Sequence, residues 1–157
     1  LDHNAKYAAG FSRGDLPMTP KMKIAIVACM NARLETGALL GLEEGDAHVI
    51  RNAGEIVSED VIRSLTISQR LLGTREIMLI HHTDCGMLTF TDAELGESIR
   101  KETGIKPPFA MEAFISPEED IHQSFERIKA SPFIPHKDKI RGFVYEVETG
   151  RLREVKN

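Results

Sequence analysis

Cysteine is scarce in this chain. Of 157 residues only Cys29 and Cys85 carry a thiol, too few to staple a small secreted domain with disulfides. Tryptophan is absent, and the composition is otherwise ordinary, with 41% hydrophobic and 28% charged residues. No excess of positive charge exists either. The formal net charge is −4 and no basic stripe stands out, so the electrostatic footprint of a nucleic-acid binder is missing. No apolar run approaches the roughly 18 residues that a membrane span needs, and no signal-peptide core is visible. A cytoplasmic protein is the expectation. Internal repeats and linkers are lacking too, and the length suits one domain with a real hydrophobic core.

What is present is a set of short apolar runs that alternate with helical patterns. Ile24–Ala28 and Ile77–Ile80 are rich in Ile and Val and bounded by polar residues, the mark of buried strands in a parallel sheet. Strands are expected over about 23–28, 47–50, 76–81 and 142–147, with a last edge strand over 151–155. A short helix is expected over 34–42, with Leu34, Ala38, Leu39 and Leu42 sharing a face. A clearer helix opens at Ser58-Glu59-Asp60, where Ser58 can cap and the acids suit the helix dipole. Its apolar stripe runs through Val61, Ile62, Leu65, Leu71 and Leu72 to a stop at Gly73. Another helix contains Leu95 and Ile99. Ser116-Pro117-Glu118-Glu119 has a capping-box pattern with Pro at the first helical position, followed by Ile121, Phe125 and Ile128 at helical spacing. Strands alternating with helices predict an α/β fold built on a mainly parallel sheet. The first 20 or so residues, polar and punctuated by Gly and Pro, read either as a frayed tail or as an arm burying Tyr7, Phe11, Leu16 and Met18 on a neighbouring subunit.

Reactive groups in such sheets collect beyond the carboxyl ends of the strands. Cys29 follows the first strand, and His82 and Cys85 follow the third, so two thiols and an imidazole are delivered to one sheet edge. Thiolate and imidazole are ligands that zinc prefers, and three protein ligands with an open fourth position is its catalytic pattern. The competing reading takes the cysteines as plain small hydrophobes. A redox pair lacks its C-x-x-C. His81, whose side chain alternates away from that of His82, reads as a structural neighbour, and His48, His122 and His136 as surface or core residues.

Cys29-x-Asn31-x-Arg33, Arg51-Asn52-Ala53-Gly54 and His82-Thr83-Asp84-Cys85-Gly86-Met87 resemble, in order, the three signature blocks of the β-class carbonic anhydrases, closest to their short bacterial and archaeal branch. The resemblance runs from about residue 23 to the C-terminal strand. It implies a four-stranded parallel core sheet with an extra edge strand, flanked by helices. It also implies an N-terminal arm over 1–22 and a single zinc-binding catalytic domain over 23–157. One zinc ion per chain would be held by Cys29, His82 and Cys85. The implied reaction is the reversible hydration of CO2 to bicarbonate by hydroxide generated at the metal. The implied assembly is a homodimer with arms wrapping the partner, and tetramers of such dimers also occur in the family.

One position departs from the family pattern. The resemblance places an Asp, paired with the Arg, where this chain has Asn31. An amide is neutral and offers one acceptor and one two-hydrogen donor, whereas a carboxylate only accepts. Arg33 must then find another partner or bond only the amide oxygen, and turnover should fall while zinc binding persists. An engineered Asp-to-Asn change is the simplest account of that residue, with a natural specialised or inactive homologue as its rival. Gly54 and Gly86 are expected to act through close backbone approach, the Gly86 N–H being a candidate donor, and Asp84 to pair with Arg33 or Arg51 or to cap the loop. Carbonyl sulfide and carbon disulfide hydrolases of the same family set an alternative substrate, and a catalytically weak zinc-binding homologue a third reading.

Overall fold

The computed structural model describes residues 1–157. In chain order the elements are helix α1 (Asp2–Ala9), strand β1 (Ile24–Cys29), helix α2 (Thr36–Leu40), strand β2 (Ala47–Asn52), helix α3 (Glu59–Arg70), strand β3 (Glu76–His82), helix α4 (Asp92–Thr103), helix α5 (Pro117–Ala130), strand β4 (Ile140–Glu146) and strand β5 (Arg151–Val155). The strands form one sheet in the order β2-β1-β3-β4-β5. Its first four strands are parallel and β5 runs antiparallel against β4. This is the α/β architecture expected from the chain.

Side chains alternate across the sheet, and the alternation builds two apolar layers. Ala25 and Val27 of β1 and Ile77 and Leu79 of β3 face Val61 and Leu65 of α3 and Ile121, Phe125 and Ile128 of α5. Ile26, Ala28 and Ile80 face the other way, against Leu34 and the partly buried Leu40, Leu42, Met78 and Leu152. Each fully buried large side chain here contributes roughly 1.5–3 kcal/mol relative to exposure, so the α3/α5 layer is the energetic centre of the fold. Gly142 of β4 lets α5 lie directly on the sheet, since a Cβ there would stand 2.7 Å from Phe125 Cζ and closer still to Ile121 Cγ2.

Helix ends follow local chemistry. Ser58 Oγ accepts the Val61 N–H, and Glu59 and Asp60 occupy the first turn of α3. Ser116 caps α5 with Pro117 in its first turn, but the reciprocal half of the expected box is missing, and Ser116 Oγ–H donates to Glu118. A complete capping box closes instead at Thr91 and Glu94, ahead of α4. Two expectations fail on burial. Helix α2 is a single turn that leaves Ala38 exposed, and Gly41 in the left-handed region ends it. Leu71 lies beyond the last turn of α3 and is 77% exposed, because the chain turns at Gly73 (φ +78°) and carries it off the apolar stripe.

The first residues form a helix that sequence patterning did not foretell. Helix α1 buries none of its residues. From α1, Tyr7 Oη donates to Glu44 and the Tyr7 ring packs on Phe11; in the segment that follows, Arg13 pairs with Glu44 and Leu16 reaches Gly45. No helix is long and apolar enough to cross a membrane. Replacing Gly142 with Ala should destabilise the fold by about 1–3 kcal/mol through overpacking, read as a lower midpoint in chemical denaturation.

Candidate metal centre

The parallel register pairs Ala28 with Ile80 and Cys29 with Asn52, so β1, β2 and β3 end at one edge of the sheet. Cys29 closes β1 and His82 closes β3. Cys85 follows after a tight loop in which Asp84 adopts φ +52°, a left-handed conformation that Asp tolerates better than most residues. One ligating atom from each of Cys29, His82 and Cys85 lies within 4.8 Å of the others, and all three residues are buried. Ile56, Met87 and Phe114, with the partly buried Phe90, pack around the two cysteines as an apolar wall. Leu88 is 37% exposed and stands outside that wall.

The donor set is prepared for a soft cation. His82 Nδ1 lies 2.7 Å from the Thr83 carbonyl oxygen, which can only accept, so Nδ1 carries the proton and Nε2 keeps its lone pair. That Nε2 is buried without any hydrogen-bond partner. A buried polar atom left unpaired costs free energy, and a metal ion would satisfy it. The Cys29 thiol is held well below the usual thiol range. A hydrogen bond from Cys85 is the main cause; it outweighs burial, and the backbone N–H groups of Asn31 and Gly54 assist. The Cys85 thiol is pushed the other way, as the partner that keeps the shared proton. Two sulfurs sharing one proton titrate as a unit.

Around the triad, guanidinium groups hold the loops. Arg51 Nε and one of its terminal nitrogens donate to the Cys29 carbonyl at 3.0 and 2.9 Å, and the same terminal nitrogen donates to the Asn31 carbonyl at 2.7 Å. Arg33 donates to the Asn31 amide oxygen from Nε at 3.2 Å, to the Asp84 carboxylate at 2.8 Å and to the Asp84 carbonyl at 3.0 Å. Its backbone N–H reaches the same amide oxygen at 2.8 Å. Both neighbours of that oxygen are donors, which fixes the orientation of the amide: Oδ1 faces Arg33 and the NH2 group faces away. Of the partners expected for Asp84, the structure selects Arg33.

The two glycines part company. Gly54 has φ +79°, and a Cβ on it would lie 2.8 Å from Met87 Cγ. Gly86 has open space where its Cβ would be and no left-handed backbone, and the N–H that reaches Cys85 belongs to Met87. Close approach explains Gly54 and does not explain Gly86.

A second cluster escaped the sequence reading. His81 points to the side opposite His82, and its Nε2 lies 2.7 Å from Glu55 and 3.0 Å from Asp120. Neither Glu55 nor His81 has exposed surface, and Asp120 is 6% exposed. Burial raises the Glu55 pKa above its usual value against the pull of His81. For His81 burial works downward, but the two carboxylates outweigh it and the net shift is upward. Asp120 was detectable, since it shares with Ile121, Ser124, Phe125 and Ile128 the buried face of α5. Nothing in the sequence marks Glu55, a charged residue after a turn glycine, as buried.

A family model described as "Carbonic anhydrase" matches residues 24–152. The chain is 57% identical to beta-carbonic anhydrase 1 of Mycobacterium tuberculosis, over 99% of this chain and 94% of that protein. It is 37% identical to a carbon disulfide hydrolase of an Acidianus species, over 84% of this chain and 76% of that one. Among solved structures it superposes on the carbonic anhydrase from Streptococcus mutans with a TM-score of 0.93 and 44% identity, covering 99% of this chain and 94% of the other. Gly54→Ala should lower bound metal at matched protein concentration, while Gly86→Ala should retain it. Metal analysis of the two purified variants checks both outcomes.

Proposed function

The chain belongs to the carbonic anhydrase family, in its β class, and from that membership we propose that it catalyses the reversible hydration of CO2 to bicarbonate at a zinc ion held by Cys29, His82 and Cys85. The observation that carries this reading is the convergence of the two buried cysteines on the unpaired Nε2 of His82. The donor chemistry fits zinc, which takes thiolate and neutral imidazole and, with three protein ligands, leaves a position open. When bound, zinc lowers the pKa of a coordinated water from about 15.7 toward about 7 and so makes hydroxide available at neutral pH.

The protein's own residues set the rest. N–H groups of Asn31 and Gly54 directed at Cys29, and of Met87 at Cys85, draw charge from the sulfurs and offset the electron donation of two thiolates to the metal. Ile56, Met87 and Phe114 keep the site dry on the protein side, which suits a small apolar substrate. Arg33, braced by Asp84, presents Asn31 in a single orientation. In the family pattern an Asp at this position accepts a hydrogen bond with its second oxygen. Here the outward group is an NH2 that can only donate, so the residue neither takes up a proton nor orients hydroxide as a carboxylate does. Turnover is therefore reduced while metal binding persists, whether Asn31 is natural or engineered.

Assembly follows the same reading. Residues 1–22 form an arm whose Tyr7, Phe11, Leu16 and Met18 remain exposed on the single chain, and a partner subunit covers them in a homodimer, from which a tetramer can be built. A cytoplasmic location completes this picture.

A second reading keeps the zinc and changes the substrate to carbon disulfide or carbonyl sulfide, linear analogues of CO2. The 37% identity to a carbon disulfide hydrolase favours it. Comparing CO2 hydration with sulfide release from both compounds separates the two, and absence of all three activities would leave a catalytically weak zinc-binding homologue. Asn31→Asp should raise CO2 hydration about 10- to 100-fold at equal zinc content; an unchanged rate removes Asn31 from the mechanism. Cys85→Ser should lose its zinc on dialysis against a chelator, and full retention would show that the ligand set is wrong.

A further inference from the structure

Two groups of three ligating side chains converge in this molecule, and only the Cys29 group has been given a task. The other, Glu55 with His81 and Asp120, touches the metal centre at two points of the backbone. Glu55 directly follows Gly54, whose N–H is directed at Cys29. His81 directly precedes His82.

The conformation of Glu55 is the unusual feature. It sits at φ +64°, directly after Gly54 at +79°. Lys23 and Glu112 share the left-handed region, but only Glu55 among these three is wholly buried, and such an angle costs energy that a residue other than glycine must recover from its contacts. Here the contact is with the His81 ring. Glu55 Oε2 stands 2.7 Å from His81 Nε2, yet the single N–H at that nitrogen is directed to Asp120, and neither oxygen of Glu55 receives a hydrogen bond. A wholly buried carboxylate with no donor is rare among folded proteins. What holds it is its 2.7 Å contact with the imidazole.

A metal ion at this second cluster is the obvious alternative, and the surroundings disfavour it. A metal-bound histidine almost always has its other ring nitrogen braced by an acceptor, and His81 Nδ1 has no partner. The nitrogen–oxygen separations of 2.7 and 3.0 Å are also ordinary contact distances for an imidazole between two carboxylates.

We propose that Glu55 is a positioning residue for the metal centre. Its contact with His81 fixes the left-handed turn at Gly54 and Glu55, and with it the Ala53–Gly54 peptide whose N–H is directed at Cys29. The Asn52 side-chain bond to the Ile56 carbonyl at 2.8 Å and the Met30 N–H bond to the Asn52 carbonyl at 2.8 Å close the turn on either side. Glu55 and His81 then supply the inward anchor that the turn otherwise lacks. The role rests on Cys29 being a metal ligand, because the N–H it controls acts on that sulfur.

The test uses Glu55→Gln, which removes the charge and keeps the size, and Glu55→Gly, which removes the anchor but accepts the backbone angle without strain. Zinc affinity is measured by chelator competition, and the sulfur-to-metal charge-transfer absorption is recorded on cobalt-loaded protein. Both variants should bind zinc about 10-fold more weakly and shift the cobalt–thiolate band, a signature that loss of general stability does not produce. If Glu55→Gln does not fold, Glu55→Gly carries the test. Wild-type affinity with an unmoved band in the variants overturns the proposal. A second equivalent of zinc bound by the wild type and lost in Glu55→Gln also overturns it, in favour of a closed metal site. Loss of zinc in Cys85→Ser alongside normal Glu55 variants would defeat only this role. Zinc retained in Cys85→Ser would defeat the ligand assignment beneath it.

Discussion

The parallel pairing of β1 with β3 is the constraint on which the site depends. Parallel strands end at the same edge, so a cysteine closing one and a histidine closing the next meet without either loop having to travel. Buried on both faces, these strands have a strongly specified register. A slip of one residue would send Val27 and Leu79 out of the α3/α5 layer and displace Cys29 from the ligand group. The packing that stabilises the sheet and the geometry that assembles the ligands are one set of contacts.

Backbone groups do much of the electrostatic work. The negative charge of Cys29 is met first by Cys85 and then by N–H groups of the main chain, and not by a lysine or arginine. The two nearby guanidiniums are spent on carbonyl oxygens, on an amide oxygen and on Asp84. Arginine's planar fork suits that bracing role. It also explains how Arg33 remains well placed beside a neutral residue: Asp84 carries the opposite charge, and Asn31 contributes an oxygen whose direction two donors impose.

Most of the fold could be read from the chain because its signals are periodic. Ile24–Ala28 and Ile77–Ile80 announce buried strands, and Ile121, Phe125 and Ile128 announce the inward face of α5. The three metal-binding candidates followed from their places at strand ends, and their family resemblance from three motifs in order. What stayed hidden depends on contacts between distant segments. Leu71 continues an apolar stripe on paper but lies past the end of α3. Gly54 and Gly86 look alike in sequence, and only the position of Met87 separates them. Glu55 was out of reach because its burial is decided by His81 and Asp120, respectively 26 and 65 residues further along the chain.

The turn at Gly54 and Glu55 bears on how this chain can change length. Two successive left-handed residues, closed by the Asn52 and Ile56 bond, leave no slack between the end of β2 and the start of α3. One added or deleted residue would rotate the peptide away from Cys29 and carry the side chain at position 55 off His81. The segment over 104–110, exposed for nearly all of its course, has no such tie to the metal ligands. Insertions are tolerable there, whereas at Asn52–Ile56 the number of residues is fixed.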